Sequence, residues 1–175
     1  MKKLIALALA AFIGAASLTA CAGTDGNAPM GFKEISEEGV TYDLFVPDEW
    51  TADISTGVTA AYYSGKDPAN ISMIGFELDG SVTSIANYWE TYEPSLKAVF
   101  PDLTYVHEPE EFKLDGVTAM QYVYTGTMVD TEYKFMQIVA FKDAKVYIFT
   151  YTAEAANYDA HFEDVFAILA NFKFH

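Results

Sequence analysis

His107-Glu108-Pro109-Glu110-Glu111 sets one imidazole and three carboxylates within five consecutive residues. Carboxylate oxygens suit hard cations, and a bend at a strand end can aim Glu108 and Glu110 at a calcium or manganese ion. Pro109 breaks the continuous helix that a His-Glu zinc motif needs, and no second histidine follows at the required spacing. His107, Glu108, Glu110 and Glu111 are therefore candidate ligands for a divalent cation, set against a plainer reading as an acidic, solvated loop at a bulge. A second group, His161-Phe162-Glu163-Asp164, reads as the solvated side of a final helix. Nucleophilic catalysis finds no matching motif. No serine sits in a Gly-x-Ser-x-Gly elbow, and Tyr63-Ser64-Gly65-Lys66 matches only a turn. Gly57 and Gly65-Lys66 stand too far apart for a phosphate loop. No spacing among the 25 acids singles out a pair for acid–base work. Catalytic residues and cofactors are assigned to none, with a hydrolase using carboxylates in a tyrosine-lined cleft as a less favoured alternative. The tyrosines pose the ligand question. Tyr62 and Tyr63 must face opposite sides of a strand, whereas Tyr122 and Tyr124 share one face. Rings with polar tips suit a mixed pocket, a protein interface, or the rim of a helix-covered sheet.

Cys21 is the chain's one cysteine, and its position gives it a different chemistry. Lys2 and Lys3 precede an apolar run from Leu4 to Leu18, and Leu18-Thr19-Ala20-Cys21 closes it among small residues. That layout is an export signal, and the run is at or below the lower limit for a membrane span. Joined to the cysteine it has the form of a bacterial lipobox, in which the thiol takes a diacylglycerol and becomes the mature N-terminus. Two or three acyl chains anchor stably where one does not. Residues 1–20 read as a lipoprotein signal peptide, 21–31 as a lipidated flexible tether, and 32–175 as one domain on the outer face of a bacterial membrane. A thiol enzyme is excluded if Cys21 carries lipid.

Composition narrows the partners. The chain has no arginine, and losing Lys2 and Lys3 takes the formal charge from −15 to −17. Nucleic acid is excluded, because no basic face can displace counterions from phosphates. Anionic headgroups repel such a domain, so the membrane is held through the lipid anchor only. The expected partner is a protein of the cell envelope or a small ligand. With no internal disulfide available, the 13 Phe and 12 Tyr must supply an apolar core.

The elements that would position these residues follow from periodicity. Thr41–Val46, Val58–Tyr63 and Ile71–Leu78 read as strands, the last two joined by a turn at residues 64–68. Ser81 is a plausible cap for a helix with the stripe Ile85, Trp89, Tyr92, Leu96, Val99 and Phe100, kinked or restarted at Pro94. Strand pattern returns at Leu103–His107, Glu110–Leu114, Val117–Thr125, Glu132–Phe141 and Val146–Thr152, with tight turns at Asp115-Gly116 and at residues 142–145. A last helix is expected over Ala153–Ala170, with the stripe Tyr158, Phe162, Val165, Phe166 and Leu169. Helices that do not alternate with single strands disfavour a parallel sheet, and strands apolar on both faces predict cover on both. The fold class is α+β, an antiparallel sheet flanked by helices on both faces.

The phrase Tyr42-Asp43-Leu44-Phe45-Val46-Pro47-Asp48-Glu49-Trp50 resembles the opening of PsbP-like domains. The resemblance extends in order through Asn70-Ile71-Ser72-Met73, Leu114-Asp115-Gly116, residues 145–150 and Asn171-Phe172-Lys173-Phe174. It implies an α/β/α sandwich, in a family that includes a photosystem subunit and bacterial lipoproteins, and whose fold is shared by a nuclear transport factor that binds a small GTPase. It also implies a non-catalytic module that binds or assembles with a partner.

Overall fold

The computed structural model describes residues 28–53, 58–78, 80 and 82–175. The expected signal peptide, Cys21, most of the expected tether, Gly57 and Ser81 lie outside the described residues. In chain order the elements are β1 (Phe32–Glu34), β2 (Tyr42–Asp43), β3 (Phe45–Pro47), β4 (Thr51–Ala52), β5 (Thr59–Tyr62), β6 (Asn70–Glu77) and α1 (Ile85–Val99). There follow β7 (Thr104–Tyr105), β8 (Glu110–Leu114), β9 (Val117–Met128), β10 (Thr131–Lys142), β11 (Lys145–Glu154), α2 (Phe162–Asn171) and β12 (Lys173–Phe174).

One eight-stranded sheet runs β4-β5-β6-β11-β10-β9, with β7 and β8 both paired to the far side of β9. Every pairing is antiparallel. Alternation along the strands sorts side chains to two buried faces. On β11, Tyr147, Phe149 and Tyr151 enter the core under α2, while Val146 and Ile148 enter the core under α1. β1–β3 and β2–β12 form small separate ladders beside α2, so the expected Thr41–Val46 strand is two strands. They part at Leu44, whose amide bonds Ser36 Oγ at 2.7 Å while its carbonyl accepts from Ile35.

The central strands turn back through three two-residue connections, Asp115-Gly116, Val129-Asp130 and Asp143-Ala144, in which both residues have positive φ. That is the type I′ signature, whose twist matches that of paired strands.

Two helix expectations are corrected. α1 runs unbroken through Pro94, with Ser84 as its cap, accepting the amide of Asn87 at 3.1 Å. Pro94 and Glu90 both lie on the exposed side of α1, where water can serve the Glu90 carbonyl that loses its donor, and the helix need not stop. The last helix begins at Phe162 rather than near Ala153. The ladder to β10 holds Thr152, Ala153 and Glu154 opposite Phe135, Lys134 and Tyr133, and a 3₁₀ turn at Tyr158–His161 intervenes. The shifted helix buries Ile168 and leaves Phe166 half exposed.

Candidate functional site

The 107–111 bend does not gather its acids. Successive residues of β8 point to opposite faces, and Glu111 pairs outward with Lys113 at 3.5 Å. His107 Nδ1 lies 2.8 Å from the Glu108 carbonyl and 3.7 Å from Glu110 Oε1, all of them exposed. Among the described residues no three His, Cys, Asp or Glu side chains converge as a metal site.

His161, expected on a solvated face, is buried instead. It closes the 3₁₀ turn that leads into α2, and its Nε2 lies 2.8 Å from Oδ2 of Asp67 in the β5–β6 turn. The other oxygen of Asp67 accepts the Ala69 amide at 3.1 Å, and Ser64 Oγ accepts the Asp67 amide at 3.1 Å. The imidazole is walled by the Tyr63 ring at 4.1 Å and by Trp50, edge-on, at 5.9 Å. Trp50 is fully buried and donates its indole N–H to Asp164 Oδ2 at 2.9 Å. Residues 48–50, which form the turn after β3, thus bring the tryptophan of the 42–50 phrase to the first turn of α2. Asp164 was also expected on a solvated face.

On the opposite side of the sheet, α1 lays Trp89 flat on Tyr122, with ring centroids 3.5 Å apart and planes 8° apart. Tyr122 and Tyr124 do share this face. The Trp89 indole donates to Tyr105 Oη at 2.8 Å, and Tyr105 donates to Glu93 Oε1 at 2.6 Å. Lys97 closes the chain on Glu93 at 3.1 Å. The Tyr105 hydroxyl, more than Lys97, holds the Glu93 carboxyl below the usual glutamate range. Burial, reinforced by the Glu93 charge, pushes the Tyr122 hydroxyl up to about 12. Beneath them Gln137 accepts from Tyr124 at 3.0 Å and donates to Tyr92 at 3.3 Å and to Thr150 at 3.2 Å.

These groups constrain the chemistry available. A general base works best with a pKa near the working pH, and Glu93 is displaced away from it. His161 is covered by aromatic rings and bonded to a carboxylate of another element, so the His161–Asp67 pair acts as a clamp between the two. The His161–Asp67 and Trp89–Tyr105–Glu93 bonds join residues of different elements and carry no local spacing signal, whereas Glu93–Lys97 is an i,i+4 pair on α1. Gln137 carries a local signal that periodicity alone passes over, as a polar residue in the otherwise apolar run Phe135–Ala140.

No protein-family model matches the sequence, and no curated protein does either. Solved structures are similar in fold. PsbP of the cyanobacterium Synechocystis (CyanoP) aligns over 90% of this chain and 99% of its own, at 14% identity and a TM-score of 0.62. LpqN of Mycobacterium tuberculosis, involved in cell envelope biogenesis, aligns over 81% of this chain and 89% of its own, at 17% identity and a TM-score of 0.59. A variant of the protein Mog1 aligns over 83% of this chain and 96% of its own, at 9% identity and a TM-score of 0.58. At such identities the likeness is one of architecture. An antiparallel sheet held between α1 and α2, with the short ladders of β1–β3 and β2–β12 beside α2, gives this chain the PsbP-like fold.

Proposed function

We propose that this protein is a membrane-anchored module of the bacterial cell envelope that binds or helps assemble a protein partner, without catalysis of its own. The observation that carries the reading is where most of its buried polar groups are spent. His161, Gln137, Thr150, Asn70 and Thr59 are buried, and each is hydrogen-bonded within the fold. The PsbP-like fold supports the reading, as does LpqN, a neighbour involved in cell envelope biogenesis. The Leu18–Cys21 segment supplies the anchor. Among the described residues no helix is long and apolar enough to cross a membrane. The cation alternative gains no support from the diverging carboxylates at 107–111.

The test is recovery of the full-length protein from native membranes under cross-linking, beside an unrelated lipoprotein of matched charge. The reading expects a partner enriched over that control, and a Cys21→Ser variant that leaves the membrane fraction. Equal recoveries from the two baits would overturn it.

A further inference from the structure

Val129 tips the β9–β10 hairpin with φ +45° and is 86% exposed. A β-branched side chain in the left-handed region is strained, and type I′ turns ordinarily place Asn, Asp or Gly there. The other two turns of this kind begin with Asp115 and Asp143. Val129 therefore costs the isolated domain both backbone strain and exposed apolar surface. Strain at an exposed position points to function when nothing local relieves it.

The surroundings of this tip are acidic. Asp130 and Glu132 are exposed on the hairpin itself. The Asp102 carboxylate accepts the Thr127 amide at 3.1 and 3.2 Å, pinning the loop after α1 to the hairpin. The Ala155 amide donates to the Glu132 carbonyl at 2.9 Å, which brings up the segment carrying the exposed Asp159. Lys134, the lysine of this stretch, sits 4.1 Å over the Tyr158 ring and 3.8 Å from Asp159, so its charge is already faced. Val99, at the last turn of α1 near Asp102, adds a second apolar side chain that is half exposed.

We propose that the β9–β10 tip is a docking knob. Val129 enters an apolar socket on a partner protein, and Asp102, Asp130, Glu132 and Asp159 face basic residues on the socket's rim. The inference rests on the binding-module reading and names the surface and the partner's chemistry. An anionic bilayer would repel these four carboxylates, and so would a second copy of this acidic chain. A basic-rimmed protein surface is the occupant that charge complementarity selects.

The experiment places a photo-crosslinking benzoylphenylalanine at Val129 or at Ala144 of the full-length protein, in the cells that make it. Ala144 tips an exposed turn of the same type at the opposite end of the sheet, between Lys142 and Lys145. The expected result is a discrete protein adduct from position 129 and none from 144, with Lys or Arg in the linked peptide. Asp130→Asn with Glu132→Gln should cut its yield at least five-fold. No adduct from 129, a lipid adduct, or the same adduct from both positions overturns the proposal. An adduct from 144 alone sinks the knob but leaves the binding-module reading to its own membrane test. Val129→Asn should raise the unfolding midpoint by relieving the turn. A lower midpoint would mean that Val129 holds the fold together, and would equally overturn the assignment.

Discussion

Asp67 and His161, 94 positions apart, meet at 2.8 Å and tie the β5–β6 turn to the start of α2. The contact sits at the end of the sheet where Trp50 is sealed against Asp164. Because His161 is buried and Asp67 is a quarter exposed, removing either partner strands a polar group in a mostly dry corner.

His161→Ala and Asp67→Asn should each cost about 2–4 kcal/mol, toward the lower end because Asp67 keeps contact with water. The double variant should lose less than the sum, with a coupling on the order of 1 kcal/mol. Urea unfolding of the four proteins checks this. Additive losses would mean that the pair does not act as a clamp.

Stability should fall as the pH drops below about 4, and Glu93 should carry part of that loss. The Tyr105 hydroxyl lowers the Glu93 carboxyl, and the Phe174 amide followed by Lys173 lowers Asp115. Both carboxyls therefore bind protons less readily folded than unfolded. Their contribution is full above the unfolded values of about 4.3 and 3.9, and disappears as the pH falls through the folded ones. Glu93→Gln should flatten the dependence of unfolding free energy on pH between about 5 and 3. An unchanged slope would show that the Tyr105–Glu93 bond is not kept in solution.

Tyr158 and Tyr151 should respond oppositely to loss of a hydroxyl. Tyr158 Oη is buried with no hydrogen-bond partner among the described residues, whereas Tyr151 donates at 2.7 Å to the Tyr158 carbonyl. Tyr158→Phe removes an uncompensated polar atom and should be neutral or slightly stabilising. Tyr151→Phe takes from the Tyr158 carbonyl its side-chain donor, leaving the backbone bond of the 3₁₀ turn, and should cost about 1 kcal/mol. Thermal melts of the two variants decide, and a destabilised Tyr158→Phe would indicate a partner for that hydroxyl in solution.

Gly126→Ala should cost about 1–3 kcal/mol through overpacking. A Cβ at position 126 would stand 2.8 Å from Cγ and Cδ1 of Phe100, a ring that is itself fully buried. Phe100→Leu should lower stability alone yet recover part of the loss when combined with Gly126→Ala. A Gly126→Ala protein with wild-type stability would mean that Phe100 can move aside.

The sequence by itself determined what depends on near neighbours. Short apolar runs marked the strands, those at 71–78 and 132–141 being apolar on both faces and so marking a sheet covered on both, and Asp115-Gly116 marked a hairpin. The four-and-three stripe through Trp89, Tyr92 and Leu96 marked α1, and the phrase at 42–50 pointed to the PsbP-like arrangement. Ladder and solvent decided the element ends. Residues 153–154 stayed in β11 because β10 offered them backbone partners, and Pro94 was tolerated because the carbonyl it orphans lies on the exposed side of α1. Charged residues at helical spacing misled at His161 and Asp164, since periodicity cannot register a carboxylate arriving from a turn 94 positions away or an indole from position 50. The pairings His161–Asp67, Trp50–Asp164 and Tyr105–Glu93 exist only once the sheet has closed between its helices. Burial then makes an unpaired polar group costly, so the tertiary structure, not the local pattern, chose each partner.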